Sequence, residues 1–171
     1  MTRNPRQDRP CHVIAPIPGA LLADAALIWG RQFGLWTRAP LVRAEQGAVA
    51  VDEDGRVRGV IGLRDSGGGF LLRMPLLARW LYRAAPPTGD LVIDGIVTLD
   101  RRAGIGCALV RAAAARARTT GYPGLRAEVR LRDPVAMGFW RAMGFAEVAR
   151  GRYGWPWSGM VAVMRRDLDG L

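Results

Sequence analysis

The sequence predicts one α/β domain of the α+β kind, a mixed, mostly antiparallel central sheet of about six to seven strands flanked by about four helices. Three observations carry this. Residues 47–63 pair two apolar runs around an acidic, Gly-containing turn, which reads as a hairpin. Residues 91–99 form a nearly all-apolar run, as expected of a strand covered on both faces. That run enters a Gly-rich turn and then an Ala-rich stretch of helical period.

The elements follow in order. Residues 1–12 are polar and Arg-rich and read as a flexible N-terminal arm, leaving 13–171 as the domain. Leu21, Leu22, Ala25, Leu27 and Ile28 have roughly helical spacing over residues 19–33, and Gly34 ends that helix. Residues 47–51 and 56–63 are strands joined by Asp52-Glu53-Asp54-Gly55. Ser66-Gly67-Gly68-Gly69 is a second loop, with a strand expected at 70–73. Residues 75–84 read as a short helix opened by Pro75 and carrying Leu76, Leu77, Trp80 and Leu81; Pro86-Pro87-Thr88-Gly89 stops it. Residues 107–120 form an Ala-rich helix, with Leu109, Val110, Ala113 and Ala117 towards the sheet and Arg111, Arg116 and Arg118 outward. Residues 125–131 alternate as a strand. Asp133 caps a helix whose first residue is Pro134 and which ends at Gly144. Residues 145–149 and 160–164 are the last strands, around a loop rich in Trp, Tyr, Gly and Pro. There is no internal repeat and no linker between domains.

Composition narrows the function. Half of the 171 residues are hydrophobic, enough for a real core, yet no run reaches the roughly 18 apolar residues of a membrane span. No signal-peptide stretch follows the basic N-terminus, so the expected location is cytoplasmic. The two cysteines, Cys11 and Cys107, form no CxxC pair, and His12 is the single histidine. That set is too poor for a zinc site, and no metal is expected. A Ser-His or Cys-His hydrolase would rest on His12 at the edge of the fold, which fits the geometry of a triad badly. The cysteines read as small, partly buried thiols. The net charge is +10, and every one of the 25 basic residues is Arg. Such a field attracts polyanions, but the arginines are scattered and no basic stripe interleaved with aromatics is present, which disfavours a dedicated nucleic-acid partner.

The chemistry-bearing motif is Arg101-Arg102-Ala103-Gly104-Ile105-Gly106 between strand and helix. The first N–H groups of a helix lack intrahelical partners, and the helix dipole adds positive charge there. A phosphate therefore fits on the backbone of roughly Ala103 to Cys107, with Gly104 and Gly106 allowing close approach and Arg101 and Arg102 at the rim. Taken alone, Gly-x-Gly before a helix is also a common structural turn. A Rossmann site needs a third glycine where Leu109 stands, and a P-loop needs a lysine that the chain lacks.

The element order and two blocks resemble the GNAT superfamily of N-acetyltransferases over most of residues 19–167. Arg101 to Gly106 resembles its Q/R-x-x-G-x-G/A signature. Asp133-Pro134-Val135-Ala136-Met137-Gly138-Phe139-Trp140-Arg141-Ala142-Met143-Gly144-Phe145 resembles its second block, N-x-x-A-x-x-F-Y-x-x-x-G-F. The resemblance implies direct transfer of an acetyl group from acetyl-CoA to a primary amine of a small molecule or peptide. The backbone of Arg102 to Cys107 would bind the pyrophosphate. Ile96, Val97 and Thr98 would pair through their backbone with the pantetheine arm, and a nearby N–H would meet the acyl oxygen. Met137 and Trp140 would line the opposite wall near the thiol. A homodimer is a family habit.

Trp140 stands where the family often has a proton-donating Tyr, and an indole N–H is too weak an acid for that role. Tyr153 is a possible substitute. The expected base is Asp94, inside an apolar strand where burial would raise its pKa, with Glu128 second. Asp94 could instead be a buried acid satisfied by backbone N–H groups or an arginine, and Glu128 a solvated strand residue paired with Arg126 or Arg130. Cys107, in the phosphate cradle, is badly placed as a nucleophile. Trp29, Trp36, Trp80, Trp155 and Trp157 are core or acceptor-pocket residues, with the Trp155-Pro156-Trp157 loop the best pocket candidate. Without the Tyr, a catalytically silent acyl-CoA sensor of the same fold is the alternative.

Overall fold

A computed structural model describes residues 11–33, 39–73, 80–100 and 103–168. The strands are β1 (His12–Ile14), β2 (Gly47–Val51), β3 (Val57–Asp65), β4 (Gly68–Gly69), β5 (Leu91–Thr98), β6 (Gly124–Arg130), β7 (Ala146–Gly151) and β8 (Val161–Asp167). The described α-helices are α1 (Gly19–Phe33), α2 (Ile105–Thr119) and α3 (Pro134–Ala142). The strands form one sheet in the order β1-β2-β3-β5-β6-β8-β7, with β4 on the far end of β3. Every pairing is antiparallel except β5 with β6.

Period-two alternation sorts the side chains onto two cores. On one face Ala48, Ala50, Ile61, Leu63, Leu91, Ile93, Leu125 and Ala127 meet Ile105, Leu109, Val110 and Ala113 of α2 and Met137 and Trp140 of α3. On the other face Val49, Val51, Val60 and Val97 meet Ala25 and Trp29 of α1, together with Phe70. Each large aliphatic side chain buried this way is worth about 1.5–3 kcal/mol. Close approach of α1 depends on the cross-strand pair Gly62 and Gly95. A Cβ on either would lie 2.7 or 2.9 Å from the Trp29 ring.

The hairpin, the long apolar strand and both C-terminal helices fall where the sequence places them. Asp133 caps α3 as expected, its Oδ1 accepting the Ala136 N–H at 2.9 Å. Other expectations need correction. Among the described residues there are eight strands, because β1 begins inside the expected arm: His12 already pairs with Val51. The strand expected at 70–73 is instead the short β4, followed by a single bridge from Val42 to Leu71. Arg116 does not face outward; its guanidinium donates to the Glu45 carbonyl and to Gln46 Oε1, tying α2 to the start of β2. Of the helix expected at 75–84, Trp80 and Leu81 are helical and residues 75–79 lie outside the described residues, as do Gly34 and Trp36.

The feature that positions the site is a split in the sheet. β5 and β6 pair only over Leu91–Leu125, Val92–Arg126 and Ile93–Ala127. Beyond that the two strands no longer pair with each other, β5 running on beside β3 to Thr98 and β6 beside β8 to Arg130. At the same point the β3–β5 register slips, Leu63 opposing Ile93 and Gly62 opposing Gly95, so Asp94 is an extra residue, a β-bulge. A bulge bends its strand and increases the local twist, which turns β5 away from its parallel neighbour.

Candidate active site

Gly104, just before α2, has φ +74°, and no side chain caps the helix. The first bond of the helix runs from the Ala108 N–H to the Gly104 carbonyl at 3.0 Å. The N–H groups of Ile105, Gly106 and Cys107 therefore project from the helix end without an intrahelical acceptor. A Cβ on Gly104 would meet nothing within 4 Å among the described residues. An anion such as pyrophosphate fits there. Ala103 flanks the turn half-buried; Arg101 and Arg102 lie outside the described residues. Arg58 fixes the approach to the turn. Its carbonyl accepts the Leu99 N–H at 2.9 Å and its Nε donates to Asp100 Oδ2 at 2.9 Å.

The same Leu99 bond sets the polarity of the free strand. Backbone groups alternate sides along a strand. Leu99 faces β3, so Val97 and Gly95 face β3 too. The N–H and C=O of Ile96 and Thr98 then face the gap that β6 has left. Of the three residues expected to pair with the pantetheine arm, Ile96 and Thr98 turn their backbone to the gap, and Val97 is engaged on the other side with its side chain in the α1 core.

Helix α3 closes the far wall. Met137 is buried, and Trp140, 8% exposed, stands edge-on between Phe139 (centroids 5.2 Å) and Phe145 (4.9 Å). The residue of α3 nearest the cradle is Phe139, whose ring lies 3.4 Å from where a Gly106 Cβ would stand.

On the opposite face of the split lies a cluster of charges. Arg64 Nε donates to Asp94 Oδ1 at 2.7 Å, and Arg64 Nη2 reaches Glu128 Oε1 at 3.5 Å. Arg126 Nη2 reaches the same Glu128 oxygen at 3.4 Å, and its Nη1 donates to the Pro86 carbonyl at 2.6 Å. Among the described residues Asp94 Oδ2 receives only the Phe70 N–H, at 3.4 Å. Burial works against the Arg64 charge, but Asp94 and then Glu128 outweigh it and hold the guanidinium above its ordinary pKa. Asp94 is thus half-buried and ion-paired, not enclosed in the apolar strand as its neighbours suggest. Tyr82 packs beside this cluster. Burial first, then the Glu128 charge, push its hydroxyl up to about 12.

Tyr82 also joins the cluster to the loop before β8. Its ring meets Trp155 edge-on at 5.4 Å, Trp155 stacks on Trp157 at 5.3 Å and 6°, and Arg83 and Gly154 exchange backbone hydrogen bonds. The other tryptophans separate from this wall: Trp29 is core and Trp80 is exposed. Tyr153 lies over Gly151, where a Cβ would come within 2.5 Å of its ring.

A helix end with free N–H donors, the edge of β5 leading away from it and a charge cluster just past the last β5–β6 pair all border the same split. Residues 28–145 match the model of the acetyltransferase (GNAT) family, a span that includes the split and both sequence blocks. The chain belongs to the GNAT acetyltransferase family. Solved GNAT structures share its fold. A GCN5-related N-acetyltransferase from Kribbella flavida is 18% identical, with a TM-score of 0.63 over 92% of this chain and 97% of that one. The yncA protein of Salmonella typhimurium, solved with its cofactor acetyl-CoA, is 14% identical, with a TM-score of 0.62 over 94% and 95%. Nourseothricin acetyltransferase is 23% identical with a TM-score of 0.54; 71% of this chain is covered, spanning 64% of that enzyme's length. No curated protein matches by sequence.

Within this GNAT domain Asp94, Ile96 and Thr98 lie on the part of β5 that β6 leaves, Glu128 stands on β6 across the split, and Gly104 to Cys107 open α2. The sequence offered Arg126 as a partner of Glu128, which it is, and missed Arg64 and Tyr82. Arg64 had no local signal, since its strand also carries Arg58. Tyr82 had none, because its place follows from how residues 80–84 dock on the loop before β8.

Proposed function

We propose that this GNAT domain transfers an acetyl group from acetyl-CoA directly to a primary amine. The observation that supports it most is the split between β5 and β6, which joins the free N–H groups of α2 to the Asp94–Arg64–Glu128 cluster. In this reading Ile105, Gly106 and Cys107, with Arg101, Arg102, Ala103 and Gly104 around them, bind the pyrophosphate. Ile96 and Thr98 hold the pantetheine arm as a neighbouring strand would be held, and Val97 keeps that strand straight from the β3 side. Met137 and Trp140 shape the α3 wall behind Phe139. Acetyl-CoA supplies the activated acyl group; the protein supplies orientation and a place for the proton.

Asp94 is the proposed base. Its Oδ2 has only a long contact to the Phe70 N–H and remains open to a proton, whereas Oδ1 is held by Arg64. The amine nitrogen forms its bond to the acyl carbon as the carbon–sulfur bond breaks, and the ammonium proton passes to Asp94. The thiolate leaves without a proton from the α3 wall, because Trp140 is buried and an indole is no acid. Tyr82 does not fill that role either, since a phenol pushed up to about 12 is a weaker acid than a thiol.

The test is calorimetric titration with acetyl-CoA, followed by thiol release over a panel of amines. Saturable binding with release supports transfer. Binding without release across the panel favours the acyl-CoA sensor, and absence of binding removes the cofactor altogether.

A further inference from the structure

We infer that the acceptor is an α-amino acid, a small molecule carrying a carboxylate beside its amine, and that Arg64 holds the carboxylate. This rests on the acyl-transfer reading and names its acceptor class.

The inference comes from how the charges at the split balance. Asp94 and Glu128 stand on the acceptor side, the face away from α2, where an amine would approach. Were they unopposed, the opening would suit a polycation. Each is instead matched by a guanidinium, Asp94 by Arg64 and Glu128 by Arg126. A ligand with several ammonium groups would have to displace those pairs, and its remaining charges would meet a protein of net charge +10. A ligand with one ammonium and one carboxylate keeps the cluster neutral.

The two arginines are not equivalent. Arg126 is 7% exposed at its side chain and is spent on Pro86 and Glu128, with its Nε buried and unpartnered among the described residues. It is a fixed internal charge. Arg64 is 36% exposed. Its Nε is committed to Asp94, its Nη2 makes only the 3.5 Å contact to Glu128, and its Nη1 has no partner among the described residues. Nη1, with the weakly held Nη2, offers the fork that matches a carboxylate with two parallel hydrogen bonds. The same guanidinium bonds the proposed base through Nε, so an α-amino acid would put its ammonium on Asp94 and Glu128 and its carboxylate on Arg64. The side chain of such a ligand points towards Tyr82 and the Trp155–Trp157 stack, an apolar and aromatic wall.

The experiment compares matched pairs differing only in the carboxylate, tryptophan with tryptamine and methionine with 3-(methylthio)propylamine, and adds spermidine. Two readouts are taken: thiol release with acetyl-CoA, and calorimetric binding to the complex with CoA, which needs no turnover. The amino acid of each pair is expected to exceed its amine by at least tenfold in kcat/KM and in affinity, with spermidine weakest. Arg64→Gln lowers both members but the amino acid by at least tenfold more, while the CoA affinity is kept. Amines equal to or better than their amino acids, or an Arg64→Gln loss that is the same for both, overturns the inference. Failure of every probe to bind the CoA complex overturns it too. Carboxylate-dependent binding without thiol release upholds the acceptor class and sinks the transfer reading, so the two fail separately.

Discussion

Asp94 and Glu128 each stand one residue past the last parallel pair, Ile93 with Ala127, and Arg64 of the neighbouring strand β3 reaches both. The sheet opens at the same step at which both carboxyls enter it. The bulge at Asp94 is thus both the cause of the split and the position of the proposed base.

Removing the carboxyl at that vertex should slow the chemistry and spare the cofactor. Asp94→Asn is expected to lower kcat by roughly 10²-fold or more at neutral pH with acetyl-CoA affinity unchanged. The deficit should shrink as pH rises, because the amine then loses its proton to solvent. A rate equal to wild type at neutral pH removes Asp94 from the role.

Gly104 tests the cradle. At φ +74° an alanine costs roughly 1–2 kcal/mol of strain. The turn relieves it by shifting the N–H groups of Ile105 to Cys107, so Gly104→Ala should weaken acetyl-CoA binding about tenfold in calorimetry, which corresponds to about 1.4 kcal/mol. Cys107→Ala leaves those backbone donors in place and is expected to keep turnover; loss of turnover with CoA binding intact would assign the thiol a chemical role.

Asp133 belongs to the scaffold. Deleting its cap on the Ala136 N–H by Asp133→Ala should cost about 1 kcal/mol. For a chain of this size that lowers Tm by about 2–4 °C in a thermal melt. Glycine at the same position should lose only a few tenths of a kcal/mol.

Tyr82 gives an alkaline signature. Its hydroxyl ionises near 10 in an unfolded chain and is pushed up to about 12 in the fold, mainly by burial. Between those values the folded state keeps a proton that the unfolded state has released, so stability falls as pH rises through that window. Urea unfolding at successive pH values should show this decline, and Tyr82→Phe should flatten it. Phenolate absorbance of the folded protein should lose its late-ionising component in the same variant.

Much of the molecule was legible in local sequence. Asp133 followed by Pro134 specifies a helix start without help from the rest of the chain, and Gly104 with Gly106 between an apolar strand and an Ala-rich helix specifies an anion-receptive turn. These depend on backbone preferences within a few residues, which a linear pattern displays directly. The core face of α2 was legible for the same reason, since its helical period is local.

The site's chemistry was decided by tertiary structure. A β-bulge at Asp94 has no marker in the sequence, because it is a mismatch of register between β3 and β5 and exists only once they pair. Without it the strand would read as unbroken and Asp94 as an isolated buried acid. Arg64 meets Asp94 across 30 residues and Glu128 across 64, and Tyr82 joins them through a loop more than 70 residues further along the chain. Charge pairing falls off with distance in space and is indifferent to distance along the chain. The sequence alone therefore determined the fold and an anion-receptive turn, and only the folded sheet decided which charges meet across the split.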